Sequence, residues 1–394
     1  KKLFKMITTA EFKKKTLNLI LKKKVRIGII GLAYVGLPLA LLFAKKGFKI
    51  FGFDNDNKKI KSINKNRSYI ERISNKNITL LNKKGNKCFS DYKNISECDI
   101  ILICVPTPLK NRNIPDLSYI RKTIQDISKY IKKGQTVILE STSYPGTTEQ
   151  EIIKKIKNRF EVGKDFFVGF SSERINPGVN ENKISLIPKV VSGHSSACLE
   201  IISSIYKQVF LKVVKAGNIK IAEFSKLLEN IYRAVNIGFI NEMKFVADKM
   251  NIDIFDIIKI ASTKPYGFRP FNPGPGIGGH CIPIDPHYLY WKAKKSGISA
   301  NFIKLSAETN SKVIDFIKKK VLKIINNLKI KKNKAKILIL GFAYKKNMDD
   351  IRESASLKLA ETLNNNNFKN LAYCDPHIKN QLSTKKYKYL KKIS

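Results

Sequence analysis

Apolar residues along this chain come in short runs separated by glycines and polar turns. The run from Ile27 to Ala44 carries no charge and follows a cluster of lysines, so its length alone would suit a membrane helix or a signal peptide. Gly28, Gly31, Gly36 and Pro38 divide it. They predict a buried strand, a tight turn and a helix that carries proline in its first turn. A second strand, Phe48 to Phe53, ends at Asp54. Three more apolar runs, Asp99 to Val105, Thr136 to Glu140 and Phe166 to Phe170, each lead into a polar turn. The turns are Pro106-Thr107-Pro108, Ser141-Thr142-Ser143-Tyr144-Pro145-Gly146 and Ser171-Ser172-Glu173-Arg174-Ile175-Asn176-Pro177-Gly178. Strands alternating with helices predict a parallel sheet whose binding crevice lies at the carboxyl ends of the strands. Thr107, Thr142 and Glu173 fall at such ends, where each could bind a ligand or cap a helix.

The pattern then changes. From Asn218 to Met250 it predicts one long helix, apolar on most sides through Leu227, Leu228, Ile231, Val235, Ile237 and Phe239, and so buried between domains or subunits. Lys226, Asn230 and Arg233 share a face of it. A lysine buried there must be paired or functional, whereas a solvated stripe would need neither. Beyond it, Pro273 to Pro286 forms a glycine- and proline-rich loop that holds Cys281, with Asp285 four residues on. Such a cysteine is either a packed side chain or a nucleophile, activated where a neighbouring charge lowers its pKa.

Two helical segments, about 286–297 and 300–328, and a basic linker, Lys329 to Lys336, precede a second strand-turn module. Its strand, Ala335 to Leu340, turns at Gly341-Phe342-Ala343-Tyr344, and a later strand ends Tyr373-Cys374-Asp375. This echoes Gly31-Leu32-Ala33-Tyr34 and Asp54. The fold class is α/β: two Rossmann-like domains, residues 25–217 and 329–394, flank a central helical domain, residues 218–328. Residues 1–24 read as a lysine-rich extension with little fold information, and the C-terminal module reads as truncated.

Charge complicates this picture. The 394 residues carry a formal net charge of +44, which by itself suggests nucleic acid or an anionic membrane. Yet only ten of the 75 basic residues are arginine, and the lysines are spread over the whole chain. With no basic module bearing interleaved aromatics, no specific nucleic-acid or membrane partner is expected, though a positive field would help capture a phosphorylated substrate. The six cysteines form no CxxC pair and no cluster with the four histidines. That pattern predicts no metal site and a reduced, cytoplasmic protein.

Gly31 to Gly36 followed by Asp54 matches a dinucleotide-binding βαβ unit. The helix N-terminus would receive the pyrophosphate and Asp54 the ribose hydroxyls, which favours NAD over NADP. Ala33 stands where a middle glycine is expected and adds a methyl group.

From about Val25 onward the chain resembles the UDP-glucose/GDP-mannose dehydrogenase family, and within it the bacterial branch acting on UDP-N-acetylglucosamine. Four stretches carry the resemblance: Ser172 to Gly178, Lys226 to Arg233, Thr263 to Phe268, and Gly278 to Asp285 continuing to Ala293. It implies a four-electron oxidation of the sugar C6 alcohol to a carboxylate with NAD, for surface polysaccharide precursors. Cys281 would form a thiohemiacetal and then a thioester. Lys226 would stabilise oxyanions, Asn230 orient the reacting group, Asp285 and Thr142 position water, and Glu173 serve as acid and base. NAD would be held by Gly31, Ala33, Tyr34, Val35, Asp54, Lys59, Thr107, Thr142 and Arg352. The sugar nucleotide would meet Glu173, Lys226, Asn230, Arg269, Phe271, Gly274, Gly278 and Lys345. The family also implies a homodimer or larger homo-oligomer through the long helix. UDP-glucose and UDP-N-acetylmannosamine are the alternative substrates, and a truncated remnant that only binds nucleotide is the alternative of another class.

Overall fold

The computed structural model describes residues 9–70, 73–83, 85–174, 181–279, 281–378 and 387–393. Thr9–Leu21 (α1) opens it. Within the stretch read as an extension, residues 1–8 lie outside the described residues, and α1 buries Thr16 and Ile20 and packs on the first core, while its lysines take the outer face. Seven charged or polar residues among its thirteen hide a narrow apolar stripe from the sequence pattern.

The uncharged run after it divides where glycine and proline dictate. Arg26–Ile30 is β1 and Gly36–Lys45 is α2, followed by β2 (Lys49–Phe53), α3 (Asn57–Asn64), α4 (Asn75–Asn82) and β3 (Lys87–Phe89). Next come β4 (Ile100–Ile103), a short hairpin of β5 (Leu109–Lys110) and β6 (Ile114–Pro115), α5 (Ser118–Ile127) and β7 (Thr136–Leu139). A π-wound turn, Thr148–Ile153, runs into α6 (Lys154–Ile156). The sheet continues with β8 (Phe167–Phe170), β9 (Lys189–Gly193), α7 (Ser196–Lys207) and β10 (Val213–Lys215).

Its order is β10-β9-β8-β7-β4-β1-β2-β3. The strands from β8 to β3 are parallel, whereas β9 runs antiparallel to β8 and carries β10 with it. That reversal brings the first residue of β9, Lys189, to the carboxyl ends of β7 and β8. The central strands β4, β7 and β8 are buried at every position, as expected of a sheet covered on both faces. Each isoleucine or phenylalanine sealed there contributes about 1.5–3 kcal/mol of burial.

The long helix is α8 (Ile219–Lys249), and two compact units meet along the chain within it, the first ending at Leu227 and the second starting at Leu228. The second contains α9 (Ile254–Ala261), α10 (Asp285–Lys295), α11 (Asn301–Asn327), β11 (Lys336–Leu340), α12 (Ala355–Asn365), β12 (Asn370–Cys374) and β13 (Leu390–Lys392). The three strands form a parallel sheet ordered β11-β12-β13. α8 is less evenly buried than its composition predicts. Leu227, Ile231, Ala234, Ile240 and Ala247 face inward, while Leu228, Tyr232, Phe239 and Val246 are exposed on this single chain. Among the described residues no helix is long and apolar enough to cross a membrane.

Candidate active site

Sterics fix the turn after β1. Gly31 has φ +90°, and a Cβ on it would lie 2.6 Å from the Cys104 carbonyl oxygen. Gly36 begins α2, and its Cβ would lie 1.9 Å from the Gly31 oxygen, so only glycine lets the helix start this close. No side-chain oxygen caps α2 at Val35, which suits an anion at that end. Asp54, just past β2, is buried; it accepts from the Leu32 N–H at 2.9 Å and the Asp56 N–H at 3.0 Å. Lys59 Nζ stands 3.2 Å from the same carboxylate. Asp54 therefore braces the turn, a task that its spacing in the sequence does not reveal. Ala33, Tyr34 and Val35 lie half-buried in that turn.

Thr107, Thr142 and Glu173 follow β4, β7 and β8 past the carboxyl ends of these parallel strands. Ser141 Oγ donates to the Val105 carbonyl at 2.7 Å and ties the first two turns together. Glu173 Oε1 accepts from the Arg174 N–H at 2.6 Å. Its Oε2 lies 3.5 Å from Lys189 Nζ, which is itself 2.7 Å from Glu140 Oε2. The hydroxyl of Tyr206, on α7, donates to the other Glu140 oxygen. Burial opposes the Lys189 charge, but Glu140 and Glu173 outweigh it and hold the ammonium above its ordinary range. Residues 175–180, part of the stretch that begins at Ser172, lie outside the described residues.

Lys226 on α8 is 8% exposed. Three residues earlier Glu223 is fully buried and accepts from the Gly146 N–H at 2.5 Å, the Thr148 N–H at 2.8 Å and the Thr148 hydroxyl at 2.7 Å. It pins the turn that follows Thr142 to the first turns of α8. Burial pushes its carboxyl up to about 7 against the pull of those hydrogen bonds. Sequence reasoning missed Glu223, though its three-residue spacing from Lys226 was a signal.

In the second unit Asn230, 2% exposed, donates from Nδ2 to Asp285 Oδ2 at 2.5 Å. Its Oδ1 accepts from Arg233 at 2.6 Å. Asp285, also 2% exposed, opens α10, and its N–H donates to the Cys281 carbonyl at 2.8 Å. Cys281 is half-buried. The loop ahead of it is held from two sides. Asn241 on α8 accepts from the Gly274 N–H at 3.1 Å and donates to Asn310 on α11 at 3.1 Å. A Cβ on Gly278 would lie 2.8 Å from Tyr344 Cβ, and one on Gly279, at φ +88°, would lie 2.6 Å from the Tyr344 ring. The glycines thus seat the loop against the turn after β11.

Phe271 rests its ring edge-on to Tyr232, 6.1 Å between centroids. Gly274 and Arg269 stay at the surface. Arg352 forks onto Asp350 at 2.9 and 2.7 Å, and Lys345 is half-buried in the same segment. His280 lies outside the described residues.

Three models of one family match in sequence along the chain: the NAD binding domain of the UDP-glucose/GDP-mannose dehydrogenase family at residues 25–210, its central domain at 220–312 and its UDP binding domain at 338–394. Protein CapL of Staphylococcus aureus is 36% identical over 340 residues, 86% of this chain and 79% of its own. A UDP-N-acetyl-D-glucosamine 6-dehydrogenase of Pseudomonas aeruginosa is 34% identical over 345 residues, covering 86% of this chain and 80% of that one. The solved UDP-D-ManNAc dehydrogenase of Pyrococcus horikoshii superposes with a TM-score of 0.83 at 30% identity, over 91% of this chain and 85% of its own.

Proposed function

Because the chain belongs to the UDP-glucose/GDP-mannose dehydrogenase family and is an NAD-dependent nucleotide-sugar dehydrogenase, we propose that it oxidises C6 of UDP-N-acetylglucosamine to the carboxylate through a covalent step on Cys281. The observation that carries this reading is the Asn230–Asp285 hydrogen bond at 2.5 Å, which joins α8 to the turn holding Cys281. UDP-N-acetylmannosamine is the second reading, favoured by the likeness to the Pyrococcus structure.

The glycine turn fits NAD: Gly31 and Gly36 admit no Cβ, α2 has no side-chain cap, and the Asp54 carboxylate stands at the end of β2. Gly31, Ala33, Tyr34, Val35, Asp54, Lys59, Thr107, Thr142 and Arg352 would hold it. When bound, NAD takes up the hydride lost from C6 in each of two oxidations.

The chain supplies the rest. Glu173 takes the hydroxyl proton as C6 becomes an aldehyde. The Cys281 thiolate adds to that carbon, and Lys226 balances the charge that develops on oxygen. Loss of the second hydride leaves a thioester on sulfur. Asp285 and Thr142 orient water, which adds to the thioester and displaces the thiolate, and Asn230 holds the Asp285 carboxylate in place meanwhile. Glu173, Lys226, Asn230, Arg269, Phe271, Gly274, Gly278 and Lys345 would contact the sugar nucleotide. The exposed Leu228, Tyr232, Phe239 and Val246 on α8 support a homodimer through that helix. The product acid would serve surface polysaccharide synthesis in the cytoplasm.

The test is NADH release by the purified protein against a panel of UDP-sugars. UDP-N-acetylglucosamine should give about two NADH per uronic acid and the highest kcat/KM. Faster oxidation of UDP-N-acetylmannosamine would move the substrate, and no NADH from any nucleotide sugar would remove the activity.

A further inference from the structure

A buried charge pair lies directly behind Glu173. Lys189 is 2% exposed and reaches Glu140 Oε2 at 2.7 Å, Glu173 Oε2 at 3.5 Å and the Ser172 carbonyl at 3.3 Å. Glu140 is 1% exposed, and its second oxygen accepts from Tyr206, itself fully buried. The rings of Tyr206 and Phe210 lie 5.2 and 5.5 Å from the Lys189 ammonium. Glu173 is the member of this cluster that reaches the surface, its side chain 12% exposed. Among the described residues, the titratable groups facing Lys189 are Glu140 after β7, Glu173 after β8, Cys104 after β4 and Tyr206 on α7.

Burying an ammonium and a carboxylate costs several kcal/mol per ion, and hydrophobic side chains of the same volume often hold a sheet together as well. Two ions placed beside a largely buried carboxylate therefore ask for an explanation beyond stability. Lys189 alone would lock Glu173 in its ionised form, and Glu140 alone would lock it protonated. The two charges therefore act on Glu173 in opposite directions.

We infer that Lys189 and Glu140 form a positioning pair that balances the charge behind Glu173, so that this one carboxylate can both take up and return a proton. The inference rests on the reading of Glu173 as the acid and base, and the pair acts only through it. Antiparallel β9 makes the arrangement possible, since it delivers Lys189 to the strand ends where Glu140 and Glu173 already lie.

Two variants separate this role from a structural one, because they must move the same quantity in opposite directions. Lys189→Met removes the cation and should shift the acidic limb of kcat/KM upward by about one pH unit or more. Glu140→Gln removes the anion and should shift the limb downward. The same opposite shifts should appear in the titration of the Glu173 carboxylate, followed by carbon-13 NMR of the protein labelled at glutamate and assigned with Glu173→Gln. The NMR readout needs no turnover, so it decides the inference even if the protein oxidises no UDP-sugar. Should Lys189→Met fail to fold, the downward shift in Glu140→Gln carries the test. Shifts in the same direction, or no shift in the folded variants, would overturn it.

Discussion

The chain builds one turn twice and uses it in two ways. After β1 and after β11 the sequence reads Gly-x-Ala-Tyr, with glycines at φ +90° and +79°. In the first copy the Gly31 N–H donates to the Phe53 carbonyl at 2.8 Å; in the second Gly341 donates to Cys374 at 2.9 Å. An aspartate past the neighbouring strand then braces each turn. Asp54 accepts from Leu32 and Asp56, and Asp375 from Phe342, Ala343 and His377 at 2.7, 2.8 and 2.9 Å. The copies part after the tyrosine. Gly36 starts α2 at once with no side-chain cap, whereas residues 345–354 intervene before α12, whose N-terminus Ser354 caps by accepting from Leu357. One turn leaves a helix end with no side-chain cap, where we propose that the phosphates of NAD bind. The other lends its Tyr344 as a seat for the loop that carries Cys281. The same backbone device is followed by an uncapped helix in one copy and by a ten-residue segment and a capped helix in the other.

The seat is the part most sensitive to change. Gly279→Ala would push a Cβ to 2.6 Å from the Tyr344 ring at a positive φ, and the displaced cysteine should lose about a hundredfold or more in kcat. Steady-state NADH release checks this, and Tyr344→Ala in the same chain should recover part of the loss. Next come the two turn glycines. Gly31→Ala meets the Cys104 carbonyl at 2.6 Å and should raise KM for NAD at least about tenfold. Gly341→Ala meets nothing within 4 Å and should cost only the strain of its φ, about 1–2 kcal/mol in a denaturant melt. Equal effects at the two positions would erase the difference between the copies.

Much of this design was legible because its signals are local. Gly31 with Asp54, Gly341 with Asp375, and Lys226 with Asn230 each sit within one βαβ unit or one helical turn, where spacing predicts proximity but not the bracing bonds of the aspartates. The hidden part depends on distant pairings. Lys189 and Glu140 meet across 49 residues because β9 reverses, and Asn241 meets Asn310 across 69. Lysine-rich α1 concealed its buried face under charge. The apolar side of α8 that lies exposed on one chain could not be told from its buried side by composition alone.

The bracing aspartate of the second copy should also show itself in pH. Burial pushes the Asp375 carboxyl up, but the three N–H bonds outweigh it and hold it below the usual carboxylate range. A carboxylate so held stabilises the fold above its unfolded pKa near 4, and that contribution drains away as pH falls through the lower folded value. Asp375→Asn should therefore cost about 1–3 kcal/mol at pH 7 and show a shallower loss of stability below pH 4 in thermal melts. The smallest effect expected is at Ala33. Ala33→Gly removes the methyl from the NAD turn and should lower KM for NAD a few-fold, while Ala343→Gly in the second turn leaves it unchanged.

The covalent role of Cys281 is the claim on which the rest depends. Product analysis of Cys281→Ala beside the wild type, with UDP-N-acetylglucosamine and excess NAD, tests it most directly. The wild type should yield the uronic acid with about two NADH for each molecule. The variant, folded and binding NAD as before, should yield no acid. Acid formed by Cys281→Ala at the wild-type rate would contradict the account.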